Sequence, residues 1–198
     1  MSVEERWRVA VHEAGHTAAA LHTGCDPTRA GVFMEGGGFT EFAEPRHPFT
    51  GLFIMSCGRA AEDAMCGPTA TASQAHVDDR EMASRYAERC APTHYAGLRV
   101  MAAARAVAER FVRDYADVIA AIAGGIMEHG VIDRSVIAAA VAGVFHDAAA
   151  AARCRHTSCD LAAPHRGPGW NPAGGPPPHD ANAQDEYGRP LPALSGAW

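Results

Sequence analysis

The chain has 198 residues and a formal net charge of −6. This length suffices for one domain with a substantial core, and the acidic balance disfavours nucleic acid and anionic membrane surfaces as partners. All 17 basic residues are arginine, so the chain lacks the lysine that a phosphate-binding P-loop requires, and we expect no ATPase activity from it.

The first predicted element is a helix. Apolar residues recur at spacings of three and four from Glu4 to His22, which is typical of one helix face, and Thr23-Gly24 provides a stop signal. No signal-peptide pattern opens the chain, and no apolar stretch reaches the roughly 20 residues that cross a bilayer. We therefore expect a cytoplasmic protein with no membrane segment, whose cysteines are free thiols in or near the core.

The next segments predict a small β-hairpin followed by two helices. The strands are Ala30–Met34 and Phe39–Phe42 on either side of a glycine turn, and the helices are Thr50–Cys66, ended by Gly67-Pro68, and Val77–Cys90. Asp78 and Asp79 fall in the first turn of the latter helix, where a carboxylate suits the positive end of the helix dipole.

The second half of the chain is predicted to be helical up to a disordered tail. Tyr95–His129 forms two helices, or one helix bent near Gly124-Gly125, with Gly130 as its C-cap. Asp133 then caps a last helix, Arg134–Arg153. The fold class is therefore mainly α with a small β-hairpin. Residues 1–155 form the domain, and residues 156–198, rich in proline and glycine, form a tail that cannot bury enough apolar surface to become ordered.

The motif His12-Glu13-Ala14-Gly15-His16 predicts a metal site on the first helix. Two histidines four positions apart lie on one face, one turn apart, so their imidazoles can converge on one cation. Glu13 is placed to reach a metal-bound water as general base without ligating the metal. This is the HExxH geometry of zinc peptidases. Gly15 lets a second backbone segment or a substrate approach closely.

Three sequence blocks resemble the peptidase domain of the FtsH family, the M41 zinc metallopeptidases. They are Val11–Ala19 around the HExxH motif, Cys57–Asp63 (CGRAAED, where the family has GGRAAEE), and Val77–Ala83 continuing to Ala87. The likeness extends weakly to about residue 143 and excludes the tail. It implies a zincin-type helical peptidase domain, with residues 1–155 as an M41-like unit that stands alone without the family's ATPase module and membrane helices.

The resemblance also implies the third ligand of Zn²⁺. Alignment on Ala83 and Ala87 selects Asp79 over Asp78, which we expect to be a helix N-terminal charge. Glu62 is the chief rival. It has two alternative roles, as an acceptor that orients a ligand histidine or as an ion-pair partner of Arg59.

Other histidines and cysteines are weaker candidates for metal ligands. We expect His22, His76 and His94 to be surface or loop residues. The cluster of Cys154, His156 and Cys159 is more simply read as incidental side chains than as a second metal site.

These features predict a zinc metalloendopeptidase that hydrolyses peptide bonds of flexible or unfolded proteins, with an extended substrate added to the edge strand at Gly37–Phe42. The family resemblance implies a homo-oligomeric ring. A separate ATPase chain is the other candidate partner, because it could supply the unfolding motor that this chain lacks. Two other functions stay open: a regulatory HExxH protease that cleaves one specific partner, and a degenerate peptidase that serves as a binding or scaffold module. Retention of Glu13 disfavours the scaffold.

Overall fold

The computed structural model describes residues 1–68 and 74–157, and this part of the chain is mainly helical with one small sheet. The elements are α1 (Val3–His22), β1 (Pro27–Val32), β2 (Gly38–Phe42), α2 (Pro48–Cys66), α3 (Gln74–Cys90), α4 (His94–Asp114), α5 (Ala116–His129), β3 (Val131–Asp133) and α6 (Arg134–Thr157). The predicted fold class, mainly α with a β-hairpin, is confirmed.

Helix α1 is the central element of the fold. It starts with a capping box in which the amide of Glu5 donates to Ser2 Oγ (3.1 Å) and the amide of Ser2 donates to the Glu5 carboxylate (2.6 Å). Every residue from Ala10 to Ala20 is buried, so this part of the helix is enclosed all round and not on one face as its periodicity predicts. Small side chains make this possible, because α2, α5 and the sheet all pack closely against it.

The predicted hairpin is confirmed, and it belongs to a three-stranded antiparallel sheet. Strands β1 and β2 pair with Val32 opposite Gly38, and the five-residue turn between them contains the positive-φ glycines Gly36 and Gly37. The sequence did not predict β3, which has only three residues and pairs with the other side of β1. The strand order is β2-β1-β3, so β2 is an edge strand.

Helix α3 starts earlier than predicted. It begins at Gln74 and not at Val77, so Asp79 is its sixth residue and lies beyond the first turn. The prediction that Asp78 and Asp79 fall in the first turn, with Asp78 as a helix N-terminal charge, is therefore wrong.

The long helical region forms two helices, as one of the two predicted alternatives has it, and they divide near Tyr115 and not near Gly124-Gly125. The ring of Tyr115 stacks on Phe111 (4.6 Å between centroids) and also contacts His22, which ties the junction to α1. The two glycines stay inside α5, where each costs only about 1 kcal/mol relative to alanine. Gly130 follows α5 with a positive φ, as predicted for its C-cap.

Two groups of buried side chains hold these elements together. The larger one joins α1, α5 and the sheet through residues such as Ile119, Ile122 and Ile132. The smaller one joins α2, α3 and α4 through Leu52, Ala83, Tyr86, Ala87 and Ala104. The smaller group matters for the site, because it fixes α3, the helix that carries Asp79.

The described part of the domain's C-terminal end agrees with the sequence-based prediction. Asp133 Oδ1 accepts hydrogen bonds from the amides of Ser135 (2.9 Å) and Val136 (3.1 Å), so it caps α6 as predicted. Met1–His156 forms one compact unit. The predicted disorder of the tail, and the side chains of Cys154, His156 and Cys159, lie outside what the structure describes. Within residues 1–68 and 74–157, none of the helices is both long and apolar enough to cross a membrane.

Candidate metal centre

The two histidines of the motif converge as their spacing predicts. His12 and His16 lie one turn apart on α1, and each is 3% exposed. Their Nε2 atoms are 3.1 Å apart. His16 Nδ1 lies 2.8 Å from the carbonyl oxygen of Ile54. Because a carbonyl can only accept, Nδ1 carries the proton, and the Nε2 lone pair of the neutral ring is available to a metal.

Helix α3 brings Asp79 to the same point. Its Oδ2 lies 2.6 Å from His12 Nε2 and 3.0 Å from His16 Nε2. A tetrahedral zinc ion with ligand bonds of about 2.0–2.1 Å holds its ligand atoms about 3.3 Å apart. The three distances of the triangle, 2.6, 3.0 and 3.1 Å, are somewhat shorter than this spacing, and two imidazole nitrogens and one carboxylate oxygen are donor types that zinc accepts. The residues present therefore fit one zinc ion.

Glu62 lies behind His12 and not in this triangle. Its Oε2 is 3.5 Å from His12 Nδ1, and its Oε1 is 3.5 Å from Arg8 Nη1. The His12 ring thus separates the two carboxylates, with Asp79 on the Nε2 side and Glu62 on the Nδ1 side. This position suits an acceptor that orients His12 more than a third ligand. Arg59, the alternative partner of Glu62, has its Nε 2.9 Å from Asp63 Oδ1.

The charges around the triangle favour a cation at its centre. Burial lowers the pKa of His12, but the hydrogen bond with Asp79 and the nearby carboxylate of Glu62 outweigh this effect and raise the pKa to about 9. Burial lowers the pKa of His16 too, but the charge of Asp79 outweighs burial, so the pKa of His16 is raised. Burial by itself raises the pKa of Asp79. The charge of His16 and the hydrogen bonds with both imidazoles outweigh burial and hold this pKa well below its ordinary value. Any metal ion must therefore displace protons from the imidazoles.

Glu13 is buried beside the sheet. It is 3% exposed, and its Oε2 accepts a hydrogen bond from Thr40 Oγ1 on β2 (2.8 Å). Burial raises the pKa of Glu13, and the nearby charges of His16 and His12 and the Thr40 hydrogen bond partly offset the rise. A Cβ added to Gly38 would lie 2.6 Å from Glu13 Cγ, so only glycine leaves room for this carboxylate against the edge strand.

Two glycines allow α1 and α2 to meet at the site. A Cβ on Gly15 would lie 2.6 Å from the carbonyl oxygen of Cys57, which confirms that Gly15 admits a second backbone segment. A Cβ on Gly58 would lie 2.8 Å from His12 Nε2 and closer still to the ring of His16. Neither Gly58 nor Thr40 was among the predicted site residues. Gly58 could have been noticed as a glycine inside a predicted helix, but no local signal marks Thr40.

A cavity of about 640 Å³ opens beside Asp79, between α2, α3 and α4. Its lining is apolar on Leu52, Met55, Ala83 and Met101, and charged on Arg59, Asp63, Arg80 and Arg105. The space is large enough for a side chain of a bound polypeptide, and it lies next to the ligand triangle.

Neither His22 nor His94 belongs to the triangle. His22 packs its ring on Phe111 and Tyr115 at the end of α1. His94 is the first residue of α4, and the side chain of His76 lies outside the described part of the chain. Among the described residues, the only group of three or more histidine, cysteine or acidic side chains close enough to share a metal ion is His12, His16 and Asp79.

Comparison with known proteins adds no family assignment to this geometry. No protein-family model matches the chain, and no curated protein matches its sequence.

Proposed function

We propose that the protein is a zinc-dependent metalloendopeptidase of zincin type, similar to the M41 peptidases, which acts on flexible or unfolded polypeptides. The observation that carries this proposal is the meeting of His12, His16 and Asp79 at one point, on the helix that also bears the buried Glu13. Two imidazoles and one carboxylate leave a net positive zinc ion with an open coordination position for water.

Each residue has a distinct role in this proposal. His12, His16 and Asp79 would hold the zinc ion. When bound, zinc supplies a Lewis acid and lowers the pKa of a bound water. Glu13 accepts the proton of the attacking water and then transfers it to the leaving amine, a role that its raised pKa favours, because the carboxylate must bind and release a proton near neutral pH.

The edge strand β2 supports an extended substrate. The side of β2 away from β1, which no other described strand covers, can pair with the main chain of a polypeptide, as in other peptides that extend a sheet. Gly38 and Thr40 on this strand contact Glu13, so a peptide paired with β2 passes close to the proposed base. Recognition through the main chain predicts broad specificity, and the cavity beside Asp79 offers space for one substrate side chain.

The proposed setting is cytoplasmic, and the substrate is already unfolded. The four cysteines in the described part of the chain, Cys25, Cys57, Cys66 and Cys90, are free thiols, as predicted. These 198 residues contain no lysine for a P-loop, so an ATPase that unfolds substrates would have to lie outside them. The proposal includes a homo-oligomeric ring, which the resemblance to the M41 family implies.

The test combines zinc analysis with cleavage of casein, an unfolded protein. We expect one zinc per chain and cleavage that a chelator stops. Glu13→Gln should retain the zinc but lose about 100-fold or more in cleavage rate, because it cannot accept the proton. The matched control is Glu128→Gln, since Glu128 is 76% exposed on α5. A fully active Glu13→Gln variant, or a zinc-free chain that cleaves casein, would contradict the proposal, and bound zinc without cleavage would favour the scaffold.

A further inference from the structure

Arg8 lies on α1 one turn before His12, and its guanidinium reaches α2. Nη2 donates to the carbonyl oxygen of Cys66 (2.6 Å), and Nη1 donates to the carbonyl oxygen of Gly67 (3.0 Å). Nη1 also lies 3.5 Å from Glu62 Oε1. Only 20% of the Arg8 side chain is exposed. We propose that Arg8 is a positioning residue of the metal centre, which holds Glu62 behind the His12 ring and so fixes the direction in which His12 presents Nε2.

The first step of this inference is the burial of Glu62. Its side chain is 7% exposed, and a buried carboxylate is costly without a nearby positive charge. Arg8 supplies such a charge from a half-buried position. Its guanidinium is planar and is held by two backbone carbonyls at the C-terminus of α2, so the position of the charge is fixed.

The second step is the contact between Glu62 and His12. The carboxylate faces Nδ1 of the ring, which is the side away from Asp79. A carboxylate in this position fixes the orientation of a ligand histidine and increases its basicity, and loss of such a group typically weakens metal binding by about 10–100-fold. Arg8 therefore acts on the metal through Glu62, because its hydrogen bonds and ion pair go to Cys66, Gly67 and Glu62 and not to the three proposed ligands.

A second effect of Arg8 has to be separated from this one. The carbonyls of Cys66 and Gly67 lie at the C-terminal end of α2, where a bound cation stabilises a helix whatever else it contacts. A general stabilising role would lower the unfolding free energy of an Arg8 variant whether or not Glu62 is present. Positioning through Glu62 would instead make the effect of Arg8 on metal affinity depend on Glu62.

The experiment measures zinc dissociation constants of the full chain by competition with a chelator, for the parent, Arg8→Met, Glu62→Gln and the double variant. We expect each single substitution to raise the dissociation constant about 10-fold or more. The double variant should be no weaker than Glu62→Gln alone, because the effects of residues that act in series do not add. Arg6→Met, on the same helix but close to Gly130, is the control and should stay within about twofold of the parent.

Two results would overturn the inference: an unchanged dissociation constant in folded Arg8→Met, or single effects that multiply in the double variant. If Arg8→Met does not fold, Arg8→Lys takes its place. It keeps the charge but lacks the planar fork, so we expect weaker zinc binding, and unchanged binding would overturn the inference. The inference rests on the proposed metal centre. A parent chain that binds no zinc contradicts both, whereas coupled zinc binding without casein cleavage contradicts only the proposed peptidase function.

Discussion

Two residues beside the proposed ligands shape the site, one by leaving space and the other by a hydrogen bond. Gly58 lies on α2 directly against the two imidazoles, and Thr40 holds the carboxylate of Glu13 from the sheet side. Neither residue would be a zinc ligand. Both nevertheless limit what the ligands and the general base can do.

Replacement of Gly58 by alanine should disrupt the metal site. The added Cβ would lie 2.8 Å from His12 Nε2, so the imidazoles must move. We expect zinc affinity to fall by about 10-fold or more, as for other changes that misorient ligands. The control is Gly124→Ala on α5, where a Cβ meets no atom within 4 Å. It should keep zinc affinity and gain up to about 1 kcal/mol in stability from helix propensity. Equal zinc affinity in both variants would contradict the role of Gly58.

Replacement of Thr40 by valine should change the pH dependence of cleavage. The Thr40 hydroxyl stabilises the ionised form of Glu13, so its loss raises the pKa of Glu13 further. The base must be ionised to accept a proton, and the acid limb of the pH–rate profile should therefore move to higher pH. Thr40→Ser keeps the hydroxyl and should restore the parent profile. An acid limb that stays in place in Thr40→Val would show that Glu13 is not the base or that Thr40 does not act on it.

At the scale of elements, the site depends on how α3 is attached to α2. Asp79 is the only proposed ligand outside α1, and the packing of Tyr86 and its neighbours sets its distance to the histidines. The ring of Tyr86 fits against Gly51 of α2, where an added Cβ would lie 2.5 Å from Tyr86 Cε1. Loss of this ring would loosen the helix that carries Asp79.

We therefore expect Tyr86→Ala to lower the free energy of unfolding by about 3 kcal/mol, the usual cost of removing a buried aromatic ring. Zinc affinity should fall as well, because α3 is less firmly held. Denaturant unfolding measures the first effect and chelator competition the second. Tyr95→Ala is the control, since Tyr95 on α4 is 72% exposed and should change stability by no more than about 0.5 kcal/mol. Full zinc affinity in a destabilised Tyr86→Ala protein would contradict this dependence.

The elements also show what the sequence can and cannot predict. Helix α1, the β1–β2 hairpin and the cap at Asp133 were predicted because their signals are local: a period, a glycine turn and a capping side chain. Strand β3 has three residues and exists only because β1 offers a free edge. The division at Tyr115 depends on contacts with Phe111 and His22, which local patterns do not contain.

The same distinction applies to the site across the whole molecule. The spacing of His12 and His16 is local and predicts their convergence. The assignment of Asp79 as the third ligand was implied by the family resemblance and not by spacing. The roles of Thr40 and Arg8 depend on contacts between residues 27 and 54 positions apart, which no spacing rule reveals. The fold brings together at one point a helix, an edge strand and a second helix.

The central claim is that His12, His16 and Asp79 bind one zinc ion with water in the remaining position, and the most direct measurement is the zinc-edge X-ray absorption spectrum of the zinc-loaded chain. We predict a shell of nitrogen and oxygen alone at about 2.0–2.1 Å, with the signature of two imidazoles, and loss of one imidazole in His16→Ala. A sulfur ligand at about 2.3 Å, or a spectrum that His16→Ala leaves unchanged, would contradict it.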